Sequence, residues 1–375
     1  MRTEITTLAA LAAHREAGGD LRSAVLVGLD LTGAEDLLRT ALDGALMLGC
    51  ELSERSRRQV EAAGGLIFPA VPQLPYDAYR TSLYAPDELF AGFDPARLES
   101  FADTPDARIY HYAVTKGREP DALDALAQRL HDHSITSALE QTLAQAAERG
   151  RADPVAVMGG HALTRTSPGY ASAAELGAAL GACPEDFTVL TGGGPGAMEA
   201  VPLGVHHADH LPDALAALAQ APEFGGSAAE RGAWLAPALE LGMSVVDGCP
   251  RTIGIPTWFY GHEPPNAFQW HAKYFANSVR EDGLLQIATG GIVYTPGSAG
   301  TVQEVFQDYT QNHYGTVGPP APMIFLGKDF WTAQVPAAPL VQQLSRGREA
   351  ERWILVTDDI AEAVEMLATY AAQPR

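Results

Sequence analysis

Two glycine-rich stretches have the residue types to hold a phosphate. Gly192-Gly193-Gly194-Pro195-Gly196 follows a short apolar run and opens a segment of helical spacing. Pro296-Gly297-Ser298-Ala299-Gly300-Thr301-Val302-Gln303-Glu304 does the same further along the chain. Glycines let a backbone come close to an anion, and unpaired N–H groups at a helix start point at it. Glu304 lies one helical turn inside the second stretch. An anion cradle beside a carboxylate suits chemistry on a nucleotide. Thr301, Glu304 and Asp308 share one helical face, opposite an apolar stripe of Val302, Val305, Phe306 and Tyr309. A plainer reading competes: a Thr-initiated helix with a solvated acidic face, where Glu304 only favours the macrodipole. Spacing alone leaves both open.

The elements that must position these residues follow from periodicity. Val155–Met158 reads as a buried strand with Gly159-Gly160-His161 as its turn. A helix over 172–180 follows, then a strand over 187–190 leading into the first glycine stretch. Pro202 should shorten or kink the helix after that stretch. Residues 209–250 hold two Ala/Leu-rich helical patches divided by Phe224-Gly225-Gly226. Strands follow at 252–256, 292–294, 322–326 and 353–356, with helices at 301–312 and 359–370. Strands alternating with helices predict a doubly wound parallel α/β sheet, with both glycine stretches at the carboxyl ends of strands.

Residues 1–150 read as a separate N-terminal α/β region of unknown role, and 151–375 as the nucleotide-binding domain. In the first, 24–31 and 65–69 read as strands and 53–63 as helical. Residues 41–48 read as helical or mixed, 72–84 as a Pro/Tyr-rich loop, and 121–149 as helical in one or two pieces. No internal repeat is evident.

Composition narrows the functional classes. Of 375 residues, 46% are apolar and 19% charged, which suits a globular chain with a real core. With 46 acidic against 25 basic residues, the formal charge is -21. That argues against a nucleic-acid polymer bound over a broad surface; a mononucleotide needs only a local pocket. No apolar stretch is long enough to span a membrane, and no signal peptide is evident. Cys50, Cys183 and Cys249 are too far apart for a disulfide framework or zinc site, so they read as buried thiols in a reducing cytoplasm.

Other candidates carry less. His131 and His133 would face different sides of a helix. His206 and His210 could form an i, i+4 metal pair, but no third ligand is apparent, so no metal is expected. Trp258-Phe259-Tyr260-Gly261-His262-Glu263 follows a strand, where its aromatics would stack on a base or merely pack the loop. His262 and Glu263 are candidate contacts. Pyridoxal chemistry needs a Schiff-base lysine. Lys116, Lys273 and Lys328 are the only lysines and none sits in a cofactor motif, so no cofactor is expected.

Residues from about 154 to 370 resemble the LOG (Lonely Guy) family, nucleotide-binding proteins often mislabelled as lysine decarboxylases. The resemblance rests on the order of a GGG-x-x-G-type turn and a PGG-x-GT-x-x-E motif. Ile253-Gly254-Ile255-Pro256 and Ile354–Asp359 are similar to the family's central and last strands. It implies hydrolysis of nucleoside 5′-monophosphates to free base and ribose 5-phosphate, without a metal. It implies Glu304 and Arg280 as catalytic residues. Gly193, Gly194, Gly196, Gly297, Ser298, Gly300 and Thr301 would hold phosphate and substrate, with Arg165 after the first strand as a further contact. It also implies a homodimer or higher assembly, with the second motif's helix near the interface. Ser298 departs from the family's second glycine. If that position needs positive φ, serine is strained there, and a nucleotide or cofactor carrier without catalysis becomes the alternative.

Overall fold

Short apolar runs, each closed by a glycine, proline or polar turn, form parallel strands throughout. The computed structural model describes residues 3–243, 249–259 and 261–373. The chain divides into two units: Met1–Leu83 with Lys116–Ala138, and Tyr84–Thr115 with Leu139–Arg375.

In the first unit, β1 (Glu4–Ile5), β2 (Val25–Val27), β3 (Leu46–Leu48) and β4 (Leu66–Phe68) form one parallel sheet in chain order. Val25, Leu46 and Leu66 are in register, so the last three strands recur every 20 or 21 residues. The sequence does carry this repeat: Val25-Leu26-Val27-Gly28-Leu29-Asp30-Leu31 matches Leu46-Met47-Leu48-Gly49-Cys50-Glu51-Leu52. Gly28 and Gly49 both turn the chain at positive φ, +64° and +63°. Each donates its N–H to the next coil, to the carbonyls of Leu48 and Phe68. The stacked coils bury Leu26, Leu31, Met47 and Val60 in one core, the logic of a solenoid. The expectation of no repeat is therefore corrected. The motif is short, and Pro69 replaces glycine in the third copy. Residues 46–48, read as helical or mixed, are a strand. The helix at 121–149 is one piece, Ala122–Glu148.

The second unit holds seven strands, all parallel: β5 (Val155–Met158), β6 (Val189–Thr191), β7 (Thr252–Gly254), β8 (Trp270–His271), β9 (Gly291–Tyr294), β10 (Met323–Leu326) and β11 (Ile354–Thr357). Their order is β11-β10-β9-β5-β6-β7-β8. The five strands β5, β6, β7, β9 and β10 are buried at every residue, as parallel strands covered on both faces must be. This is the doubly wound, Rossmann-like α/β sheet that the alternation predicts. From β5 the chain steps to β6, β7 and β8, then returns to lay β9 on the other side of β5. The strand order thus reverses between β5 and β9, and a crevice opens outside their carboxyl ends.

The helices Pro168–Gly181 and Ala197–His207 cross in close contact. A Cβ on Gly204 would overlap the Ala174 carbonyl, and one on Gly177 the Val201 carbonyl. Pro202 does not end the helix early: Ala197–His207 continues as helix past it. Proline has no N–H for the Met198 carbonyl four residues back. Asn266 Nδ2 donates to that oxygen instead, at 3.0 Å.

Two alanine substitutions with opposite outcomes test this packing. Gly204→Ala should lose about 1–3 kcal/mol from overpacking, despite the gain in helix propensity. Gly283→Ala, in the helix Asn277–Ile287 with open space around its Cβ, should gain about 0.5–1 kcal/mol. Urea unfolding reads both, and effects of the same sign would break the packing account.

Candidate functional site

The crevice begins where the chain leaves β9. Pro296 and Gly297 turn it, and the helix Ala299–Tyr314 starts with Ser298 as its N-cap. Ser298 has φ -113° and ψ -154°, ordinary extended backbone, so serine carries no strain here. Its side chain does not cap the helix. Among the described residues, nothing accepts the N–H groups of Ala299, Gly300 or Thr301; the first intrahelical bond runs from Val302 N–H to the Ser298 carbonyl. Three orphan donors thus point out of a helix N-terminus, with the positive end of its dipole behind them. Gly297 lies behind this turn, where a Cβ would overlap the Thr301 side chain.

The opposite lip comes from β5. The Gly160 N–H donates to the Pro296 carbonyl at 3.2 Å, and the Thr295 N–H to the Met158 carbonyl at 2.8 Å. Together with the turns after β6 and β7, these loops enclose a cavity of about 460 Å³. Ser298, Gly300, Thr301, Glu304, Arg280 and Gly194 all line it.

Glu304 and Arg280 meet at this cavity. Arg280 Nη1 lies 3.6 Å from Glu304 Oε1, and each side chain is 14% exposed. Arg280 is held by its Nε, which donates to the Ile255 carbonyl at 2.7 Å, just past β7. Gly192 gives it room, since a Cβ there would lie 2.5 Å from Arg280 Nη2. Burial pushes the Glu304 carboxyl up to about 7; Arg280 opposes the rise and Glu281 adds to it. Asp308, one turn further, is also pushed up to about 7 by burial, against a 2.7 Å hydrogen bond from the Tyr294 hydroxyl. The face bearing Thr301, Glu304 and Asp308 is therefore turned inward. Thr301 and Asp308 are each 6% exposed, while Val302 and Phe306 of the apolar stripe are only half-buried. A solvated acidic face does not describe this helix.

The first glycine stretch serves differently. Gly192 and Gly194 reach the cavity surface, and Gly193 and Gly196 sit behind it. The Gly193 N–H is bound by the Thr191 hydroxyl, and its carbonyl by the Asn266 N–H. Gly196, at φ +71°, presses against the Gly160 and His161 carbonyls. The Ala197 N–H is already spent on the Gly160 carbonyl. This turn shapes the wall, with the Gly193 and Ala197 N–H groups taken within the fold.

Arg165 is not at the cavity. It is 3% exposed and its donors are occupied. Nε and Nη2 grip the Glu199 carboxylate at 2.9 and 2.5 Å, and Nη1 reaches the Ala221 and Trp234 carbonyls. It joins three segments as a buried ion pair. Its place after the first strand suggested a ligand contact, but Glu199, in the first turn of the helix Ala197–His207, claims it. His206 bonds the Thr252 hydroxyl and His207 the Gly242 carbonyl. The three cysteines are buried, as expected. Tyr260 lies outside the described residues.

The cavity also has residues that spacing did not single out. Met198, Glu281 and Gln303 line it. Glu281 accepts from Asn277 at 2.6 Å and from Gln303 at 3.3 Å. The helix Asn277–Ile287 that carries Arg280 and Glu281 has no apolar periodicity to announce it.

Fold and cavity together define a Rossmann-like α/β chain with an anion-ready helix start at its strand-order reversal. No protein-family model matches the chain, and no curated protein matches it. Solved structures that it resembles include the molybdenum cofactor binding protein from the phototrophic bacterium Rippkaea orientalis, at 17% identity, over 58% of this chain and 97% of that one. Another is the structural-genomics target TM1055, at 20% identity over 58% and 99%. Both TM-scores are 0.35, and neither likeness carries an argument here. No helix among the described residues is long and apolar enough to cross a membrane.

The raised carboxyls make a stability prediction. A carboxyl that titrates near 7 in the fold and near 4.5 when unfolded binds its proton more tightly in the fold. Its stabilising contribution is full below the unfolded value and is lost as pH rises through 7. Wild-type stability should therefore fall between pH 5 and 8, and Glu304→Gln should flatten that fall. Thermal unfolding across this range checks it; parallel curves for the two proteins would refute the assignment.

Proposed function

We propose that this chain hydrolyses the N-glycosidic bond of nucleoside 5′-monophosphates. The observation that carries the reading is a mostly buried carboxyl, Glu304, one helical turn behind three unpaired backbone donors on the same cavity wall. The 5′-phosphate would sit on the N–H groups of Ala299, Gly300 and Thr301. The lining carries Glu263, Glu281 and Glu304 against Arg280, so the helix N-terminus must supply much of the attraction for an anion.

A ribose held this way has its ring near Glu304. Breaking the C1′–N bond sends the electron pair to the base and builds positive charge on the sugar. The Glu304 carboxylate stabilises that charge and takes a proton from the water whose oxygen bonds to C1′. The departing base takes up a proton from solvent, and Glu304 returns its own to solvent, which restores the carboxylate. Arg280, fixed by the Ile255 carbonyl, keeps Glu304 poised and is placed to steady the leaving base. Such a cavity lies within the ordinary size range for small-ligand sites. We also infer a homo-oligomer, with the half-buried Val302 and Phe306 on the outer side of the helix at the contact; sedimentation would test it.

The test is incubation of the protein with AMP, GMP, CMP and UMP, following free base and ribose 5-phosphate. Activity should rise with pH through about 7 as Glu304 ionises. Glu304→Gln should lose about 10²-fold or more, the usual scale for a catalytic acid or base. Ser298→Gly should stay within a few fold, because Ser298 is unstrained. Tight binding of all four without base release would instead make the protein a nucleotide carrier.

A further inference from the structure

The loop after β7 is bolted down far more firmly than a cavity rim requires. Asp106, on the helix Pro105–Lys116, is fully buried and accepts three bonds at one site. Lys273 Nζ donates at 2.6 Å and Trp258 Nε1 at 3.0 Å to Oδ1, while His262 Nε2 lies 3.2 Å from Oδ2. Lys273 is itself 1% exposed and lies over the Trp258 ring. Burial works against its charge, yet the Lys273 ammonium and the hydrogen bond from His262 hold Asp106 well below the usual carboxylate range. The His262 ring stacks on Tyr110 at 4.3 Å, and its carbonyl accepts from Arg231 Nε at 3.0 Å. Four residues on, Asn266 ties the loop to the carbonyls of Gly194 and Met198.

Between these anchors stands Glu263. It precedes Pro264, which confines its backbone to extended conformations, and its side chain is on the cavity wall. One oxygen lies 3.7 Å from where a Gly194 Cβ would be. The His161 ring nitrogen Nε2 lies 4.0 Å from its other oxygen, across the mouth. A carboxylate that is itself 40% exposed thus stands on an anchored stretch of loop and faces the cavity.

Its place along the wall is informative. Arg280 adjoins Gly192, the Met198 thioether runs from Gly192 to Gly194, and Glu263 adjoins Gly194. The wall therefore runs from the Glu304–Arg280 pair, over an apolar methionine floor, to a second carboxylate. A ribose against Glu304 sends its base over Met198 toward Glu263.

Resting on the nucleotide reading above, we propose that Glu263 reads the base and selects one with two adjacent N–H donors, as guanine has. A carboxylate only accepts hydrogen bonds. Guanine offers N1–H and the 2-amino group side by side. Adenine and cytosine place an acceptor beside their amino group, and uracil flanks its single N–H with two carbonyls, so each sets a lone pair against the second carboxylate oxygen. Glutamine presents one donor and one acceptor, the complement of the adenine edge.

The experiment is titration calorimetry of GMP and AMP against the wild type, Glu263→Gln and Glu263→Ala, with base release followed in parallel. The wild type should bind GMP roughly 10- to 100-fold more tightly than AMP, the discrimination a paired contact gives. Glu263→Ala should erase the preference, and Glu263→Gln should erase or reverse it. Wild-type affinities within threefold, or a guanine preference that survives both substitutions, overturn this proposal and leave the nucleotide site standing. Binding with the expected preference but without base release supports Glu263 and sinks hydrolysis. Failure to bind any monophosphate overturns the nucleotide reading, and the base-reading role with it.

Discussion

Three backbone N–H groups with no acceptor among the described residues, at the start of the helix Ala299–Tyr314, are the constraint on which the site depends. A helix must begin with unpaired donors; the parallel sheet decides where they point. Because the strand order reverses between β5 and β9, the loops after these strands diverge and leave a crevice. The orphan donors open into it, and Glu304 follows one turn behind. Its acidity, its ion pair with Arg280 and the cavity itself are consequences of that placement.

The surrounding structure keeps other polar groups from competing. The first glycine turn has the sequence of an anion site, but the Gly193 and Ala197 N–H groups are taken within the fold. Asn266 is central to this. It takes up the Met198 carbonyl freed by Pro202, and it holds the turn at Gly194. With the Thr191 hydroxyl, 3.2 Å from the same Met198 oxygen, it lets a proline sit in a helix, and it ties down the cavity wall. An unmet carbonyl in this buried place would cost about 1–3 kcal/mol.

Much of this was legible in the chain. Apolar runs of four residues gave β5, β9 and β10 within a residue or two, and the Pro296–Glu304 spacing located the helix that carries Glu304. The cavity brings Glu304, Arg280, Ser298, Gly300 and Thr301 together as the motif requires. What escaped has identifiable causes. The strands of the first unit are only two or three residues long, and the repeat behind them shows only when Val25–Leu31 and Leu46–Leu52 are set side by side. Arg165 looked available because sequence position says nothing about Glu199, thirty-four residues on, which claims it. The strain expected at Ser298 depended on a φ angle that residue type cannot fix. Lys273 was weighed only as a cofactor lysine, since nothing local betrays its pairing with Asp106.

That pairing raises an energetic question whose answer bears on function. Removing Asp106 and Lys273 from water costs several kcal/mol per ion, and an apolar cluster of similar volume would often serve stability as well or better. Apolar contacts, however, tolerate sliding and rotation. An aspartate gripped by an ammonium, an indole N–H and an imidazole accepts few geometries, so it fixes Trp258 and His262 in direction as well as distance. Such a clamp earns its desolvation cost where orientation matters, and the residue next along the loop from the clamped His262 is Glu263. The charge buried at Asp106 and the charge presented at Glu263 are in this sense one device: the first is hidden from water so that the second can be aimed.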